Sequence, residues 1–383
     1  MQAPTFSRRA ALAGTLGLVA VGAAACGSDD TTASSSSSTS ASSSATTSSA
    51  ASSEVPDLET LVAEVTDKFT QETYTDTQTG LSVPYNLFIP TDYDASQTYP
   101  MVLYIPDSSL VGQDVSAPLS QYGALIWASD AEQAKHASIV VVPEYPEVII
   151  DDHDAFTTTD YVALTPRLLA DVKSRYSVDE ARVYGTGQSM GCMTVMYLAA
   201  KDPELFAAEL FVSGQWDITE LQNLTQEKFF SIAAGGDEKA SAGQAEVQAM
   251  LTDAGVSFQA ATWDATWSAQ ELSDAAAELF AAGDEINFAT FETGTVLEAA
   301  GSTTSSASSA AAGSGTPPAG STPPAGMTPP ADGSGGTPPA GMTPPSGAGS
   351  AGGAGTSSEH MASFEPAYKV TALRDWLFQQ SAA

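Results

Sequence analysis

The stretch RVYGTGQSMGCMTVMYLAAKDPELF, residues 182–206, changes character in its middle. An apolar, strand-like run ends near Tyr184, and a helix-like run begins at Met190 and is ended by Pro203. Three glycines fall within the seven residues from Gly185 to Gly191, although glycine destabilises both strands and helices. The pattern therefore predicts a strand, a sharply bent backbone and a helix.

The sequence around this stretch repeats the alternation of strands and helices. The run SIVVVPEY from Ser138 is continuously apolar, as in a strand covered on both faces. Further strand candidates are YNLFIP, MVLYIP, AAELFVSG, FFSIAAGGD, VSFQAATWD and INFATFE, and the helix candidates are PDLETLVAEVTDKF, DYVALTPRLLADVKSRY, AGQAEVQAMLTDAG, SAQELSDAAAELFAAG and PAYKVTALRDWLFQQ. This order predicts an α/β fold, a mostly parallel doubly wound sheet with helices on both faces and functional groups at the carboxyl ends of its strands.

Composition divides the 383 residues into a folded part and low-complexity segments. Residues 27–54 form a Ser/Thr/Ala-rich tether, and residues from about 300 to 358 form a Ser/Gly/Pro-rich insertion; neither contains enough apolar side chains to order itself. The remaining part of residues 55–383 is long enough to bury one large core. We therefore expect a single domain that the insertion interrupts.

Residues 1–26 have the features of an export signal with a lipidation site. Arg8 and Arg9 precede a short apolar run, and the sequence SRRAAL resembles a twin-arginine signal. Small residues then lead to Cys26 in AAAC, which resembles the box of lipoproteins, where the cysteine is lipidated after cleavage. We expect a lipoprotein that is attached to the membrane through Cys26 and faces outside, with release from the cell as an alternative.

The chain is strongly acidic, which excludes one class of partner. It has 46 acidic and 13 basic residues and a net charge of −33. Such a surface repels polyanions, so we do not expect it to bind nucleic acid.

The pentapeptide GQSMG fits the pattern G-x-S-x-G at the point where a strand turns into a helix. In this setting the serine takes a strained conformation and its hydroxyl projects above the sheet. Side chains at Gly187 and Gly191 would collide with the neighbouring strand and helix. We interpret Ser189 as a nucleophile in an α/β-hydrolase fold.

A serine nucleophile needs a histidine base and a carboxylate that orients the histidine. In α/β-hydrolases these follow the serine in the order acid, then histidine. Of the three histidines, only His360 follows Ser189. Three aspartates at strand ends are candidates for the acid, with Asp237 favoured over Asp217 and Asp264 because a Gly-Gly exit precedes it.

An oxyanion hole needs two converging N–H donors. Met190, the first residue after the serine, is expected to supply one from its backbone. The loop YIPDSSLVG supplies the second, for which Ser108 is favoured over Asp107. No cofactor is expected, and no group of His, Cys and carboxylate residues shows metal-ligand spacing. Cys192 is interpreted as a small buried residue.

Several of these segments together resemble a known group of enzymes. The segments YGTGQSMGCMTVMYLAAKDPELFAA, GQWD, AAGGDEKASAGQ and EHMASFEPAYKVTALRDWLF resemble secreted α/β-hydrolases of the polyhydroxybutyrate depolymerase esterase type, a group also named as prolyl-oligopeptidase-family serine peptidases. The resemblance covers roughly residues 70–378 without the insertion. It implies Ser189 as nucleophile, Asp237 as acid and His360 as base. Many relatives carry His-Gly before the oxyanion residue, where this chain has Pro106 and Asp107.

These features together indicate a serine hydrolase that acts on an ester in a small molecule or polymer. Two alternatives are a serine peptidase of the prolyl-oligopeptidase type and a catalytically silent, surface-tethered binding lipoprotein. Trp216, Trp263 and Trp267 are candidates for lining a substrate pocket, although tryptophans are more often core residues.

Overall fold

The computed structural model describes residues 55–153, 155–301 and 358–382. They fall in one unit, Ser53–Ala383. The expected export signal with Cys26, the tether and nearly all of the insertion lie outside the described residues. None of the described helices is both long enough and apolar enough to cross a membrane.

The described part of the chain alternates strands and helices, as the sequence predicts. The strands are β1 (Thr70–Thr75), β2 (Ser82–Phe88), β3 (Tyr99–Ile105), β4 (Ile139–Pro143), β5 (Ile150–Asp151), β6 (Thr157–Thr158), β7 (Val178–Gln188), β8 (Ala208–Val212), β9 (Phe229–Ala234), β10 (Gln259–Trp263) and β11 (Asn287–Phe291). The helices are α1 (Leu58–Val65), α2 (Tyr122–Leu125), α3 (Asp130–Lys135), α4 (Asp160–Arg175), α5 (Met190–Lys201), α6 (Glu238–Ala254), α7 (Ala269–Phe280), α8 (Thr295–Ala299), α9 (Ser358–Ala362), α10 (Phe364–Lys369) and α11 (Thr371–Gln379).

A mostly parallel sheet forms the centre of the described structure. Its strand order is β1-β2-β4-β3-β7-β8-β9-β11-β10. The pairs β1/β2 and β2/β4 are antiparallel, and every pair from β4 to β10 along this order is parallel. This is the α/β-hydrolase architecture that the sequence predicts, and it places the carboxyl ends of β3, β7, β8 and β9 at one edge.

Alternate residues of each central strand enter two different cores. In β3, Val102 and Tyr104 belong to one apolar cluster, whereas Met101, Leu103 and Ile105 belong to the other. The first cluster also contains residues of α1, α7 and α11, and the second contains residues of α4, α5 and α6. Helices therefore cover both faces of the sheet, which explains why its strands are continuously apolar in sequence.

Two features differ from the sequence-based prediction. The antiparallel strand β1 and the short hairpin β5–β6 were not anticipated, because polar TQETYT and the two-residue strands lack an apolar pattern. The final amphipathic segment forms two helices, not one, since Val370 takes an extended conformation with ψ 100° between α10 and α11. The apolar periodicity continues across this break because Val370 and Leu373 are both buried.

Two glutamates are buried at the amino-terminal ends of neighbouring strands. Glu209 in β8 is fully buried, and Glu227, just before β9, is 7% exposed. Neither oxygen of Glu209 has a hydrogen-bond partner among the described residues. Burial raises the pKa of Glu209 well above its usual range, and the Glu227 carboxylate adds to this. Burial, assisted by Asp202, raises the pKa of Glu227 to about 8.

These shifts predict that the fold loses stability as the pH rises towards 8. A carboxyl group whose pKa is raised by folding stabilises the folded state most below its unfolded pKa, and this contribution disappears as the pH rises through the folded value. We expect Glu227→Gln to be more stable than wild type at pH 8.5 by at least about 1 kcal/mol. Urea unfolding between pH 5 and 9 would measure this, with the exposed Glu238→Gln as control. Parallel pH profiles for wild type and Glu227→Gln would contradict the prediction.

Candidate active site

Ser189 lies at a sharp turn between β7 and α5. Its backbone has φ 52° and ψ −117°, in a region that non-glycine residues rarely occupy. The Ser189 N–H donates to the carbonyl of Val212 at the end of β8 (3.1 Å), and its own carbonyl accepts from the N–H of Met193 (2.9 Å). The surrounding sheet and helix thus hold this strained residue in place, as expected at functional sites.

Two glycines make this turn possible. A Cβ on Gly191 would lie 1.9 Å from the carbonyl oxygen of Ile105, at the end of β3. A Cβ on Gly187 would lie 2.5 Å from the backbone of Gly191. Both contacts are with backbone atoms and cannot be relieved by a rotamer change. The first turn of α5 therefore rests directly on two adjacent strands.

The structure brings Ser189, His360 and Asp237 together. Nε2 of His360 lies 2.8 Å from the Ser189 hydroxyl, and Nδ1 lies 2.5 Å from Oδ2 of Asp237. His360 and Asp237 are 8% and 4% exposed. With the Nδ1 proton directed to Asp237, the unprotonated Nε2 faces the serine hydroxyl. This arrangement can take a proton from Ser189.

Short structural elements carry the histidine and the acid. His360 lies in the one-turn helix α9. Asp237 follows Gly235 and Gly236 at the end of β9 and caps α6, where its Oδ1 accepts from the N–H of Ala240 (3.3 Å). Its other oxygen remains available for His360.

The other two candidate acids lie elsewhere. The Asp217 carboxylate accepts from the N–H and hydroxyl of Thr219 (2.9 and 2.8 Å). The Asp264 carboxylate accepts from the N–H and hydroxyl of Thr266 (2.8 and 2.6 Å). Both aspartates stabilise local turns, the role that such residues have most often.

Met190 and Ser108 lie at the same cavity as Ser189. Both residues line it, and neither N–H donates to a protein acceptor in the part of the chain that the structure describes. The Asp107 carboxylate is buried and accepts from Ser109 N–H (2.8 Å) and from the side-chain amides of Gln188 (2.8 Å) and Gln121. The Asp107 carboxylate, next to Ser108 in sequence, is thus engaged by hydrogen-bond donors. This matters because negative charge would develop nearby on the carbonyl oxygen of a substrate.

The cavity beside Ser189 has a volume of about 150 Å³. Its apolar wall includes Val148, Ile150 and Met193, and its polar wall includes Asp152 and Lys239. The Lys239 ammonium and the Asp152 carboxylate form an ion pair at 3.0 Å. The cavity therefore combines a small apolar space with a charged rim.

Most residues of this rim could not be identified from the sequence. Asp151 and Asp152 come from the β5–β6 hairpin and Gln215 from the segment after β8; the Gln215 amide donates to Asp152. The charged run DDHD directly after the apolar VII is the one signal that pointed to an exposed turn here. Nothing in the sequence indicated that this turn lies beside Ser189.

The three tryptophans that the sequence offered as pocket candidates do not line the cavity. Trp216 is buried against Phe156 and Tyr197, and Trp263 is buried in the core. Trp267 is 38% exposed and lies in a separate groove.

Cys192, directly after Gly191, is fully buried, as the sequence predicts. Burial raises the pKa of its thiol well above the usual range. This cysteine is therefore a packing residue and not a reactive thiolate.

Two clusters of possible metal ligands form in the fold although the sequence shows no metal-ligand spacing. Two groups of described residues place possible ligand atoms within 4.8 Å of one another, namely Asp151, Asp152 and His153, and Glu132, His136 and Asp375. Asp375 lies more than two hundred residues from Glu132 in sequence, so linear spacing could not reveal the second group. Ion pairs with Lys239 and Arg374 engage one carboxylate in each group.

Comparisons with known proteins show the family of this chain and proteins with a similar fold. Residues 77–290 match the Esterase family, described as "Putative esterase". A thermostable esterase is similar in structure, with a TM-score of 0.55, 20% identity, and coverage of 83% of this chain and 64% of that chain. A feruloyl esterase module from Clostridium thermocellum (TM-score 0.44, 14% identity, 62% and 84% coverage) and dipeptidyl peptidase 4 from Porphyromonas gingivalis (0.37, 16%, 50% and 31%) are more distant. No curated protein gave a significant match.

The crowding at Gly191 predicts a large effect of one methyl group. In Gly191→Ala the new Cβ must push α5 away from β3, and overpacking of this kind costs about 1–3 kcal/mol or more. The control is Gly255→Ala, where φ is 72° but no atom lies within 4 Å, so that only backbone strain of about 1–2 kcal/mol is added. Urea unfolding should show Gly191→Ala as the less stable variant. Equal free energies of unfolding of the two variants would show that the end of β3 moves to make room for the new methyl group.

Proposed function

This chain belongs to the Esterase family, and on that premise we propose that it is a serine hydrolase that cleaves carboxylic esters through an acyl-enzyme. The observation that carries the proposal is the position of His360, which bridges Ser189 (2.8 Å) and Asp237 (2.5 Å) in a buried site. A buried histidine with this geometry meets the requirement for a base that activates a serine.

In the first step His360 Nε2 takes the hydroxyl proton while Ser189 Oγ attacks the ester carbonyl carbon. Asp237 stabilises the imidazolium that forms and keeps its ring oriented, without itself becoming protonated. The carbonyl oxygen becomes an oxyanion, which the N–H groups of Met190 and Ser108 stabilise by hydrogen bonds.

Collapse of this intermediate expels the alcohol, which takes the proton from His360. The acyl group is then bound to Ser189. Water attacks the acyl-enzyme with His360 again as base, and the carboxylic acid leaves as the serine hydroxyl is regenerated. Every proton that His360 takes is returned, so each cycle converts one ester and one water molecule into an alcohol and a carboxylic acid.

The cavity supports an ester with a short acyl group and a polar alcohol. A space of about 150 Å³ holds a molecule of about the size of benzene. The apolar wall at Ile150 and Met193 suits a short acyl chain, and the rim at Asp152 and Lys239 offers hydrogen bonds to a hydroxylated leaving group. An ester is favoured over a peptide because the described residues beside Ser189 enclose a cavity of only about 150 Å³.

We also propose that the enzyme is exported and attached to the membrane by lipidation of Cys26. The support is the sequence AAAC after a short apolar run with Arg8 and Arg9 before it. Partition of the full chain into the detergent phase of a Triton X-114 extract, and its loss in Cys26→Ala, would test this. Equal partition of both proteins would exclude the anchor.

Removal of the triad side chains should abolish ester hydrolysis. With p-nitrophenyl acetate, we expect Ser189→Ala and His360→Ala each to lower kcat by about 10⁴-fold or more, and Asp237→Asn by about 10³–10⁴-fold. Asp217→Asn and Asp264→Asn are matched controls that should stay within about 3-fold of wild type. Loss of activity in either control, with Asp237→Asn active, would reassign the acid.

A fluorophosphonate probe separates a silent binding protein from an enzyme with an unsuitable test substrate. It should label wild type at Ser189 and leave Ser189→Ala unlabelled. Folded wild type that neither hydrolyses esters nor reacts with the probe would favour the binding role. Faster cleavage of peptide anilides than of esters would favour the peptidase alternative.

The small apolar wall predicts a preference for short acyl chains. We expect kcat/KM to be highest for acetyl to butyryl esters. For octanoyl esters it should be lower by about 10-fold or more, because longer chains exceed the space. Met193→Ala enlarges this wall and should shift the preference to longer chains. Met196→Ala, on the same helix but outside the cavity, is the control. An unchanged preference in Met193→Ala would place the acyl group elsewhere.

A further inference from the structure

The helix that carries His360 is too short to hold itself in place. Helix α9 has five residues, and helices of this length are unstable without tertiary contacts. The ring contacts Asp237, Ser189 and, edge to face, Phe364 (5.0 Å between ring centres). The backbone of His360 must therefore be fixed by neighbouring groups.

Ser363 fixes the His360 backbone directly. Its hydroxyl donates to the carbonyl oxygen of His360 (2.7 Å), and its N–H donates to the carbonyl of Glu359 (3.0 Å). The side chain is buried, with 1% of Ser363 exposed. A water molecule therefore has no open route to replace this hydroxyl.

Ser213 holds Ser363 in turn. The two hydroxyl oxygens lie 2.6 Å apart. A serine hydroxyl can donate only one hydrogen bond, and Ser363 uses its proton on the His360 carbonyl. Ser213 must therefore be the donor to Ser363. The result is a chain of hydrogen bonds with one direction, from Ser213 through Ser363 to the backbone of His360.

The backbone of Ser213 indicates that this contact is important. Its φ is 50°, and among the described residues Ser189 is the other non-glycine residue with a positive φ. Such a conformation costs about 1–3 kcal/mol and persists where the surroundings impose it. The Ser213 N–H donates to the carbonyl of Ile232 in β9 (2.9 Å), at the same sheet edge as Ser189. From this strained backbone the Ser213 hydroxyl reaches that of Ser363.

We propose that Ser213 and Ser363 are positioning residues that set the distance between His360 Nε2 and Ser189 Oγ. They act through the backbone of His360, which they tie to the end of β8. The inference rests on the proposed function, because a histidine needs this precision only if it transfers a proton. Small displacements of a base lower kcat strongly while substrate binding is little affected.

Removal of either hydroxyl should therefore lower kcat, and removal of the Ser363 hydroxyl should leave KM nearly unchanged. For both Ser213→Ala and Ser363→Ala we expect kcat to fall by about 10–100-fold. KM should stay within about 3-fold in Ser363→Ala, which gives the cleaner test because Ser213 lines the cavity and Ser363 does not. The double variant should be little worse than either single one, since both break the same chain. Ser363→Thr keeps a hydroxyl and should recover most of kcat. Ser213→Gly relieves the backbone strain and supplies a folded protein without the hydroxyl.

Thr165 provides a matched control outside the cavity. Its hydroxyl is buried in α4, lies 2.6 Å from the Tyr145 hydroxyl and donates to the carbonyl of Tyr161 (2.9 Å). Thr165→Val removes a hydroxyl chain of the same kind. We expect it to lower the melting temperature without changing kcat.

Proton NMR of the Nδ1–H of His360 gives a readout that does not depend on turnover. The chain has three histidines, so the signal can be assigned by its loss in His360→Ala. We expect Ser213→Gly and Ser363→Ala, but not Thr165→Val, to broaden or shift it. A changed signal with inactive wild type would refute the proposed function and retain the positioning role. Unchanged kcat and an unchanged signal in both serine variants would overturn the positioning role.

Discussion

The contact between the first turn of α5 and the end of β3 controls the arrangement of the site. Gly191 lies so close to the carbonyl of Ile105 that no side chain fits between them. This contact brings the start of α5 over the sheet edge and forces Ser189, one residue before the helix, into a positive φ. The same end of β3 leads into the loop that carries Ser108. The positions of the proposed nucleophile and of both proposed oxyanion donors therefore depend on one close approach of two backbones.

The remaining parts of the site converge because the strands are parallel. Parallel neighbours end at one edge of a sheet, so the segments after β7, β8 and β9 deliver Ser189, Ser213 and Asp237 to one place. His360 arrives from a later part of the chain on a helix of one turn. Its position depends on side-chain contacts and not on a strand, which is why the Ser213–Ser363 hydrogen bonds are significant. The sheet positions two residues of the proposed triad, and tertiary hydrogen bonds position the third.

The strongly acidic composition raises a question about a site that must stabilise an oxyanion. The carboxylates nearest to Ser108 and the cavity are each engaged by donors. Asp107 accepts from Ser109 and two glutamine amides, and Asp152 accepts from Lys239 and Gln215. These bonds disperse negative charge where it would oppose catalysis. The acidic residues that give the chain its net charge of −33 can then keep the protein soluble without adding negative charge at the site.

The sequence by itself determined the alternation of strands and helices and the turn at Ser189. It also indicated the histidine of the proposed triad, because only His360 follows the serine. These follow from local rules, namely apolar periodicity, the cost of glycine and chain order. The sequence favoured Asp237 over Asp217 and Asp264, and the structure places Asp237 against His360. The rim at Asp152 and Lys239 and the strain at Ser213 were decided by tertiary structure alone. Each depends on which groups meet after the chain has folded, and residues as far apart as Ser213 and Ser363 leave no local pattern. The apolar periodicity of a helix or strand indicates which of its faces is buried, but not which element packs against that face.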